Sequence, residues 1–224
     1  QQPKFEEKKA QGYVEFGEKN DYPDYLISLY NESPKHGAII KGKINYIFGK
    51  GFKDVPKTAN TEGESWNVLL KRCVQDGQLF GGYYLQIVYN ALGNIANVFH
   101  IPFQKVRVSK DLRKFYVKDD WQASNYKEKP RPYDAYNPNE KTGSQILYIK
   151  QYNPSSEIYP KPDYFQCLNY IESDIQISRH ILGNAKHNFV ATKLINFNNG
   201  MPQEEEQEQV ELDMKKKFAN HEGD

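Results

Sequence analysis

The chain has 224 residues and is nearly neutral, with 30 lysines and arginines against 29 aspartates and glutamates, so tight binding of nucleic acid through a large basic excess is excluded. An aromatic content of 14% argues against disorder, and no run of about 18 apolar residues is present to cross a membrane. The apolar fraction of 38% predicts a modest core, with part of the stability coming from an assembly interface rich in tyrosine.

The N-terminal region begins with a polar segment and continues with two helices. Residues 1–20 carry charges of both signs, and we expect an extended arm. The segment 21–30 then opens a short helix. Ser33 is a good N-cap for a second helix, Pro34 suits its first position, and Gly49 is a natural residue to end it.

The middle of the chain predicts one further helix followed by strands. A single apolar stripe indicates a helix from about residue 65 to 75. Alternating and aromatic-rich segments then predict strands at 83–89, 95–101, 105–108, 115–117 and 145–152. The first two strands would form a hairpin. The segment 121–142, rich in proline, tyrosine and charge, is predicted to be a loop.

The longest helical pattern follows a segment stiffened by prolines at 159–164 and runs from about residue 163 to 187. About 25 residues would make a helix roughly 37 Å long. It carries two apolar stripes, one of Leu168, Ile171, Ile175 and Leu182 and the other of Ile177 and Ile181. Two stripes indicate contacts on two sides, which a helix shared between neighbours explains better than a helix packed on one core.

The C-terminal region predicts a short strand at 188–197, a turn, and a last helix that begins near Met201. From Gln203 to Asp213 this helix carries six acidic residues and no basic one. The acidic run can be an exposed helix start, or it can repel a polyanion or meet a basic partner. Both interpretations stay open at this point.

Signatures of catalysis and of metal binding are weak. The histidines are scattered, and His180 and His187 lie too far apart on one helix to chelate the same ion, so we predict no metal and no cofactor. No nucleophile elbow is present, and we assign no catalytic residue. The acids Glu62 and Glu64, and the pair Asp119 and Asp120, are interpreted as solvated loop residues rather than as a glycosidase pair.

A series of motifs does point to a family. Residues 22–36 have the pattern YP..L..LY..SP.H, and a G-x-G turn follows at 49–51. The segment 159–164 leads into the long helix, and Asn-Gly-x-Pro at 199–202 precedes the glutamate-rich helix. In this order the motifs resemble the tailed-bacteriophage portal proteins, most closely the subgroup of phages and prophages of Bacteroidetes-type bacteria. The resemblance spans essentially the whole chain.

The resemblance implies an α+β fold with four regions. These are an N-terminal arm (1–20), a portal-like wing of helices plus antiparallel sheet (21–158), a long stem helix (159–188) and the start of an α/β clip (189–224). The family continues with a second stem helix, a tunnel loop and a crown, so we expect this chain to represent only part of a longer polypeptide. No tunnel-loop residue is assigned.

The resemblance also implies a structural function without catalysis. Portal proteins form a homo-oligomeric ring, usually of twelve subunits, at a unique capsid vertex of the virion. Double-stranded DNA passes through the ring non-specifically during packaging and ejection. The ring assembles in the host cytoplasm, contacts the major capsid protein, docks the terminase and later carries head–tail connector or adaptor proteins. No membrane is involved.

Residue roles follow from the same resemblance. The stem helix would pair with its copies through Leu168, Ile171, Ile175, Ile177, Ile181 and Leu182. Candidates for contact with DNA in the channel are His180, Lys186 and His187. A partner would dock on the clip through Glu204, Glu205, Glu206 and Glu208. The near-neutral charge is consistent with DNA passage, because a strongly basic channel would hold DNA.

Two other functions remain open on the sequence. One is a different virion component, such as an adaptor or a baseplate protein, with the same α+β wing. The other is a carbohydrate-active enzyme that uses the aromatic loop 121–136. Such an enzyme would need a cleft with two carboxylates about 5–9.5 Å apart.

Overall fold

The computed structural model describes residues 7–9, 12–123, 129–186, 208–209 and 212–213. The helices are α1 (Tyr22–Glu32), α2 (Pro34–Phe48), α3 (Trp66–Phe80) and α4 (Leu168–Lys186). The strands are β1 (Glu7–Lys9), β2 (Val14–Phe16), β3 (Gly82–Tyr89), β4 (Ile95–Ile101), β5 (Val106–Val108), β6 (Lys114–Val117), β7 (Arg131–Ala135) and β8 (Ser144–Lys150). The fold is α+β, as predicted. The chain divides into two compact units, 1–179 and 180–224, and the division falls within α4.

The strands of the described residues form one open sheet in the order β1-β2-β5-β6-β7-β8-β3-β4. Neighbouring strands are antiparallel except β7 and β8, which are parallel. The predicted hairpin of β3 and β4 is confirmed, with Tyr84 opposite Ile101. On its other side β3 pairs with β8, where Tyr84 faces Tyr148. Aromatic and β-branched residues suit such paired, half-buried strands.

The helix boundaries follow local capping chemistry. The Ser33 hydroxyl accepts a hydrogen bond from the His36 amide at 3.2 Å, and Pro34 occupies the first turn of α2, as predicted. The helix α3 continues to Phe80, five residues beyond the prediction, because Leu79 and Phe80 extend its buried face. It ends at Gly81, whose φ of 85° suits glycine.

Two segments differ from the sequence-based prediction. The N-terminal arm is not merely extended, because β1 and β2 pair with each other and Val14 pairs with Val108 of β5. The prediction of a loop over 121–142 was wrong for residues 131–135. These form β7, which pairs with β6 on one side and β8 on the other. Pro132 and the flanking charged residues argue against a strand in the sequence, since proline is rare inside a sheet.

The long helix begins at Leu168, five residues later than predicted, and is described as far as Lys186. A 3₁₀ turn precedes it over Phe165–Cys167, where the amide of Cys167 bonds to the carbonyl of Tyr164 at 2.8 Å. The predicted strand at 188–197 and the following turn lie outside the described residues. Of the predicted last helix, residues 208–209 and 212–213 are described, and all four are helical.

The core of the first unit is built largely from aromatic rings. Phe16 stacks on Tyr159 with ring centroids 4.3 Å apart, and Tyr84 stacks on Tyr148 at 4.5 Å. Phe16, Tyr84 and Tyr159 are fully buried. The composition suggested that tyrosines form an assembly interface. Several of them instead pack in the chain's own interior.

One buried cation joins the N-terminal strands to the sheet. The Arg107 side chain is 1% exposed and donates to Asn20 Oδ1 at 2.6 Å and to the Asn20 carbonyl at 2.9 Å. It also donates to the carbonyls of Gln104 and Val106. The Trp121 ring lies over the guanidinium at 5.0 Å. Burial lowers the pKa of Arg107, but guanidinium remains charged in proteins.

Candidate subunit interface

The first half of α4 is fastened to the first unit by packing and by hydrogen bonds. Ile171 and Ile175 belong to the hydrophobic core and are 8% and 6% exposed. The Tyr25 hydroxyl of α1 donates to Glu172 Oε1 at 2.6 Å. The Asp174 carboxylate accepts from the Ser33 hydroxyl at 2.9 Å and pairs with the ammonium of Lys35 at 2.7 Å. This half of the helix is therefore held by α1 and α2.

The protonation states in this contact favour the observed hydrogen bonds. Lys35 and Ser33 lower the pKa of Asp174, so its carboxylate stays ionised and accepts hydrogen bonds at neutral pH. Burial and then the hydrogen bond to Glu172 raise the pKa of Tyr25, so its hydroxyl keeps the proton that it donates. Each group therefore holds the charge that the contact requires.

The second half of α4 has a different environment. Every residue from 176 to 182 is exposed. Three large aliphatic side chains lie in this stretch, and Ile177, Ile181 and Leu182 are 59%, 57% and 56% exposed. The ion pair of Arg179 with Glu32 at 2.6 Å is itself largely exposed. Aliphatic residues clustered in the open on one helix are typical of a surface that another protein covers.

The structure thus separates the six residues predicted to form a subunit interface. Leu168 is half-buried, and Ile171 and Ile175 pack within their own chain. Only the remaining three, the exposed trio of Ile177, Ile181 and Leu182, are free to bury substantial area against a neighbour. Their role between copies remains a prediction.

The other predicted site residues fall in three groups. His180 and Lys186 are exposed on α4, and His180 Nε2 lies 3.0 Å from the side-chain amide nitrogen of Asn184. His187, Glu204, Glu205 and Glu206 lie outside the described residues. Glu208 is described as an exposed helical residue. Contact of these residues with DNA or with a docking partner stays a prediction.

A groove that the sequence analysis missed lies between α2 and the first half of α4. Its volume is about 560 Å³, and Ile39, Tyr170 and Ile171 are among the residues that line it. The ion pairs of Lys35 with Asp174 and of Lys43 with Asp163 lie at its rim. Its sequence signal was the SP.H motif, because that motif places His36 on the inner face of α2.

His36 is a buried polar residue of this groove. It is 6% exposed, and its ring lies 4.3 Å from the Tyr164 ring in an edge-on arrangement. Within the described residues its Nε2 atom has no hydrogen-bond partner. Burial lowers the pKa of His36, so the neutral imidazole is favoured.

Three of the four loop acids considered for glycosidase chemistry are engaged in local structure, and the fourth, Glu62, is exposed. Asp119 pairs with Lys105 at 2.7 Å, and Asp120 accepts from the amides of Gln122 and Ala123. Glu64 pairs with Arg72 and accepts from Asn60. The described residues contain no cluster of three or more potential metal ligands. No helix within the described ranges is long and apolar enough to span a membrane.

The indole of Trp121, the first residue of the aromatic loop considered for a carbohydrate-active enzyme, is also used internally. Its Nε1 donates to the Lys105 carbonyl at 2.9 Å, and its ring packs at 4.8 Å from Tyr13. A carbohydrate platform would need a free aromatic face beside a carboxylate pair, and Trp121 offers one of its faces to Arg107 instead.

The fold is shared with proteins of phage-like particles. No protein-family model and no curated protein match the chain. Matching solved structures include the neck of an empty gene transfer agent (GTA) particle computed with C6 symmetry, at a TM-score of 0.60 and 12% identity. Others are the virion of the native particle, at 0.59 and 14%, and the neck of the native particle computed with C12 symmetry, at 0.60 and 13%.

These matches cover 90% of this chain but only 55–56% of the chains to which it is similar. The chain thus spans little more than half their length. At such low identity the similarity shows a common fold. The neighbours are components of a phage-like particle.

Proposed function

We propose that this chain is a subunit of a portal-type ring at the head–tail junction of a phage-like particle, through which double-stranded DNA is packaged and ejected. The observation that carries the proposal is the exposed trio Ile177, Ile181 and Leu182 on α4. The fold shared with chains of GTA particles and the portal-like order of motifs support the same conclusion. The engagement of Glu64, Asp119 and Asp120 in local contacts is also consistent with a structural subunit rather than with a glycosidase.

The geometry of a ring explains why α4 has two kinds of apolar residue. In a closed ring each subunit uses two different surfaces, one for each neighbour. The helix α4 commits Ile171 and Ile175 to its own unit and leaves the exposed trio for another copy. A helix that served only one compact monomer would carry polar residues at these three positions.

The partners follow from this function. The proposed ring has twelve subunits, contacts the major capsid protein, docks the terminase during packaging and later carries connector or adaptor proteins. It resides at the portal vertex of the virion and assembles in the host cytoplasm. His180 and Lys186, both exposed on α4, are the described candidates for transient contact with DNA phosphates.

Mass photometry and negative-stain electron microscopy of the natural full-length protein test the proposal. We expect rings with a central hole, and we expect Ile177→Asp/Ile181→Asp to reduce them to monomers. Leu92→Asp is the matched control, because Leu92 is 85% exposed in the turn between β3 and β4. Rings that persist in the double variant, or a strictly monomeric natural protein, would overturn the proposal.

The choice of variants follows from burial. Ile171 and Ile175 lie in the core of their own unit, so aspartate there would disturb folding as well as assembly. Ile177 and Ile181 are exposed, and circular dichroism should therefore report an unchanged fold in their variants. Immunogold labelling of particles then separates a portal from an adaptor or a baseplate protein by position.

A further inference from the structure

A surface at the end of α2 and the start of α3 combines exposed apolar residues with unpaired lysines. We define the basic–apolar surface as Ile47, Phe52, Val68, Lys50, Lys53 and Lys71. Its three apolar side chains are 51%, 46% and 44% exposed, and its three lysines are also exposed. This surface is separate from the exposed trio of α4.

The loop within this surface is held against α3. The amide of Phe52 donates to Asn67 Oδ1 at 2.7 Å. A Cβ atom at Gly51 would lie 2.5 Å from the same oxygen, so the loop approaches α3 as closely as glycine permits. Lys71 Nζ lies 5.8 Å from the Phe48 ring centroid, which brings α3 against the end of α2. The phenyl ring and the lysines are therefore presented by an ordered framework.

An apolar groove opens beside the basic–apolar surface. It has a volume of about 270 Å³ and runs from Ile47 past Leu70 and Val74 of α3 to Tyr83 and Ile149 of the sheet. Ile149 is itself 42% exposed. The groove can accept a few aliphatic side chains from a bound segment.

The charge around this surface is strongly one-sided. From Ser33 to Lys57 the chain has six lysines and one acidic residue, Asp54, although its total charge is only +1. Lys35 and Lys43 are neutralised by ion pairs with Asp174 and Asp163. Within the described residues, Lys50, Lys53 and Lys71 have no ion-pair partner. An unpaired basic rim beside an apolar groove is complementary to an acidic, amphipathic ligand.

We propose that the basic–apolar surface binds an acidic amphipathic segment of another protein. Aliphatic side chains of that segment enter the groove at Ile47, and its carboxylates contact Lys50, Lys53 and Lys71. Nucleic acid fits less well, because Phe52 is the single ring that this surface offers for base stacking and the surface has no arginine fork for phosphate. The inference does not depend on ring formation.

Fluorescence anisotropy with three labelled probes tests this proposal on the full chain. The probes are a synthetic amphipathic peptide of leucine and glutamate, polyglutamate of equal charge, and duplex DNA. We expect the amphipathic peptide to bind at least about tenfold more tightly than either other probe, a difference readily measured as Kd. Polyglutamate reports charge alone and DNA reports phosphate binding.

Matched variants assign the binding to this surface. We expect Lys50→Glu/Lys53→Glu and, separately, Phe52→Ser each to weaken peptide binding at least about tenfold. The controls Lys110→Glu and Leu92→Ser change exposed residues elsewhere and should leave the Kd unchanged. Equal affinity for polyglutamate, tighter binding of DNA, or equal losses in the controls would each refute the proposal. Circular dichroism confirms that each variant remains folded.

Discussion

The Tyr25 hydroxyl donates a hydrogen bond of 2.6 Å to the Glu172 carboxylate, joining α1 to α4 across 147 positions of the sequence. The contact lies between Ile171, which is buried in the core, and Asp174, which is held by Ser33 and Lys35. One turn of α4 thus carries most of the polar contacts that fasten this helix to α1 and α2.

The hydrogen bond of Tyr25 is expected to stabilise the attachment of α4. We predict that Tyr25→Phe lowers the free energy of unfolding by about 1–3 kcal/mol, because a hydrogen bond to a carboxylate is lost in a partly buried contact. Urea unfolding followed by circular dichroism measures the change. Tyr152→Phe is the control, since Tyr152 is 89% exposed. Equal stability of both variants would contradict the prediction.

The buried guanidinium of Arg107 is expected to be irreplaceable by lysine. An ammonium group cannot reproduce its planar set of hydrogen bonds to Asn20, Gln104 and Val106. We predict that Arg107→Lys lowers the free energy of unfolding by at least about 2 kcal/mol, because each buried acceptor left unpaired costs about 1–3 kcal/mol. Arg113→Lys, at an exposed position, should have no measurable effect. A similar loss in both variants would argue against this role.

Gly81 is expected to tolerate no side chain. Its φ is 85°, and an added Cβ would lie 2.9 Å from the Lys161 carbonyl oxygen. Gly143 is the control, because its φ is 66° but no atom lies within 4 Å of an added Cβ. Gly143→Ala therefore measures the backbone strain alone, about 1–2 kcal/mol. We predict that Gly81→Ala lowers the melting temperature clearly more than Gly143→Ala. Equal shifts would mean that the close approach is relieved cheaply.

His36 is expected to make stability depend on pH. Burial lowers its pKa from 6.5 in the folded chain. Well above pH 6.5 the imidazole is neutral in both states and contributes no dependence on pH. As the pH falls through 6.5 towards the lower folded pKa, the unfolded chain takes up a proton first, so stability falls. The free energy of unfolding should therefore decrease less in His36→Gln than in the natural chain between about pH 7 and about pH 5.

The control for this prediction is His180→Gln, because His180 is a histidine at an exposed position on α4. Its slope should match that of the natural chain. If the free energy of unfolding changed with pH equally in the His36 and His180 variants, burial of His36 would not explain the pH dependence.

Local signals predicted the elements that depend on local chemistry. Ser33 and Pro34 marked the start of α2, and the aromatic β-formers of residues 83–89 marked β3. The strand β7 was missed, because its pairing with β6 and β8 depends on distant partners and its own sequence contains a proline. Helical periodicity also could not locate the start of α4 at Leu168. A 3₁₀ turn directly precedes the helix, and its residues continue the same helix-like pattern in the sequence.

The candidate interface was predictable only as a set of apolar residues on one helix. Periodicity could not show that Ile171 and Ile175 face the core of the same chain while Ile177 and Ile181 face solvent. The groove beneath His36 and the charge-stabilised Asp174 were equally hidden, because their partners lie on α1 and α2, more than a hundred positions away in the chain.

The amino-acid sequence by itself determined the α+β class, the helix caps and the apolar character of α4, because these depend on spacing and on side-chain chemistry within a few residues. Tertiary structure alone decided which apolar side chains of α4 pack in the core of their own chain and which stay exposed. Burial depends on what the rest of the chain places beside a helix, and α1 and α2 reach Ile175 but leave Ile177 uncovered.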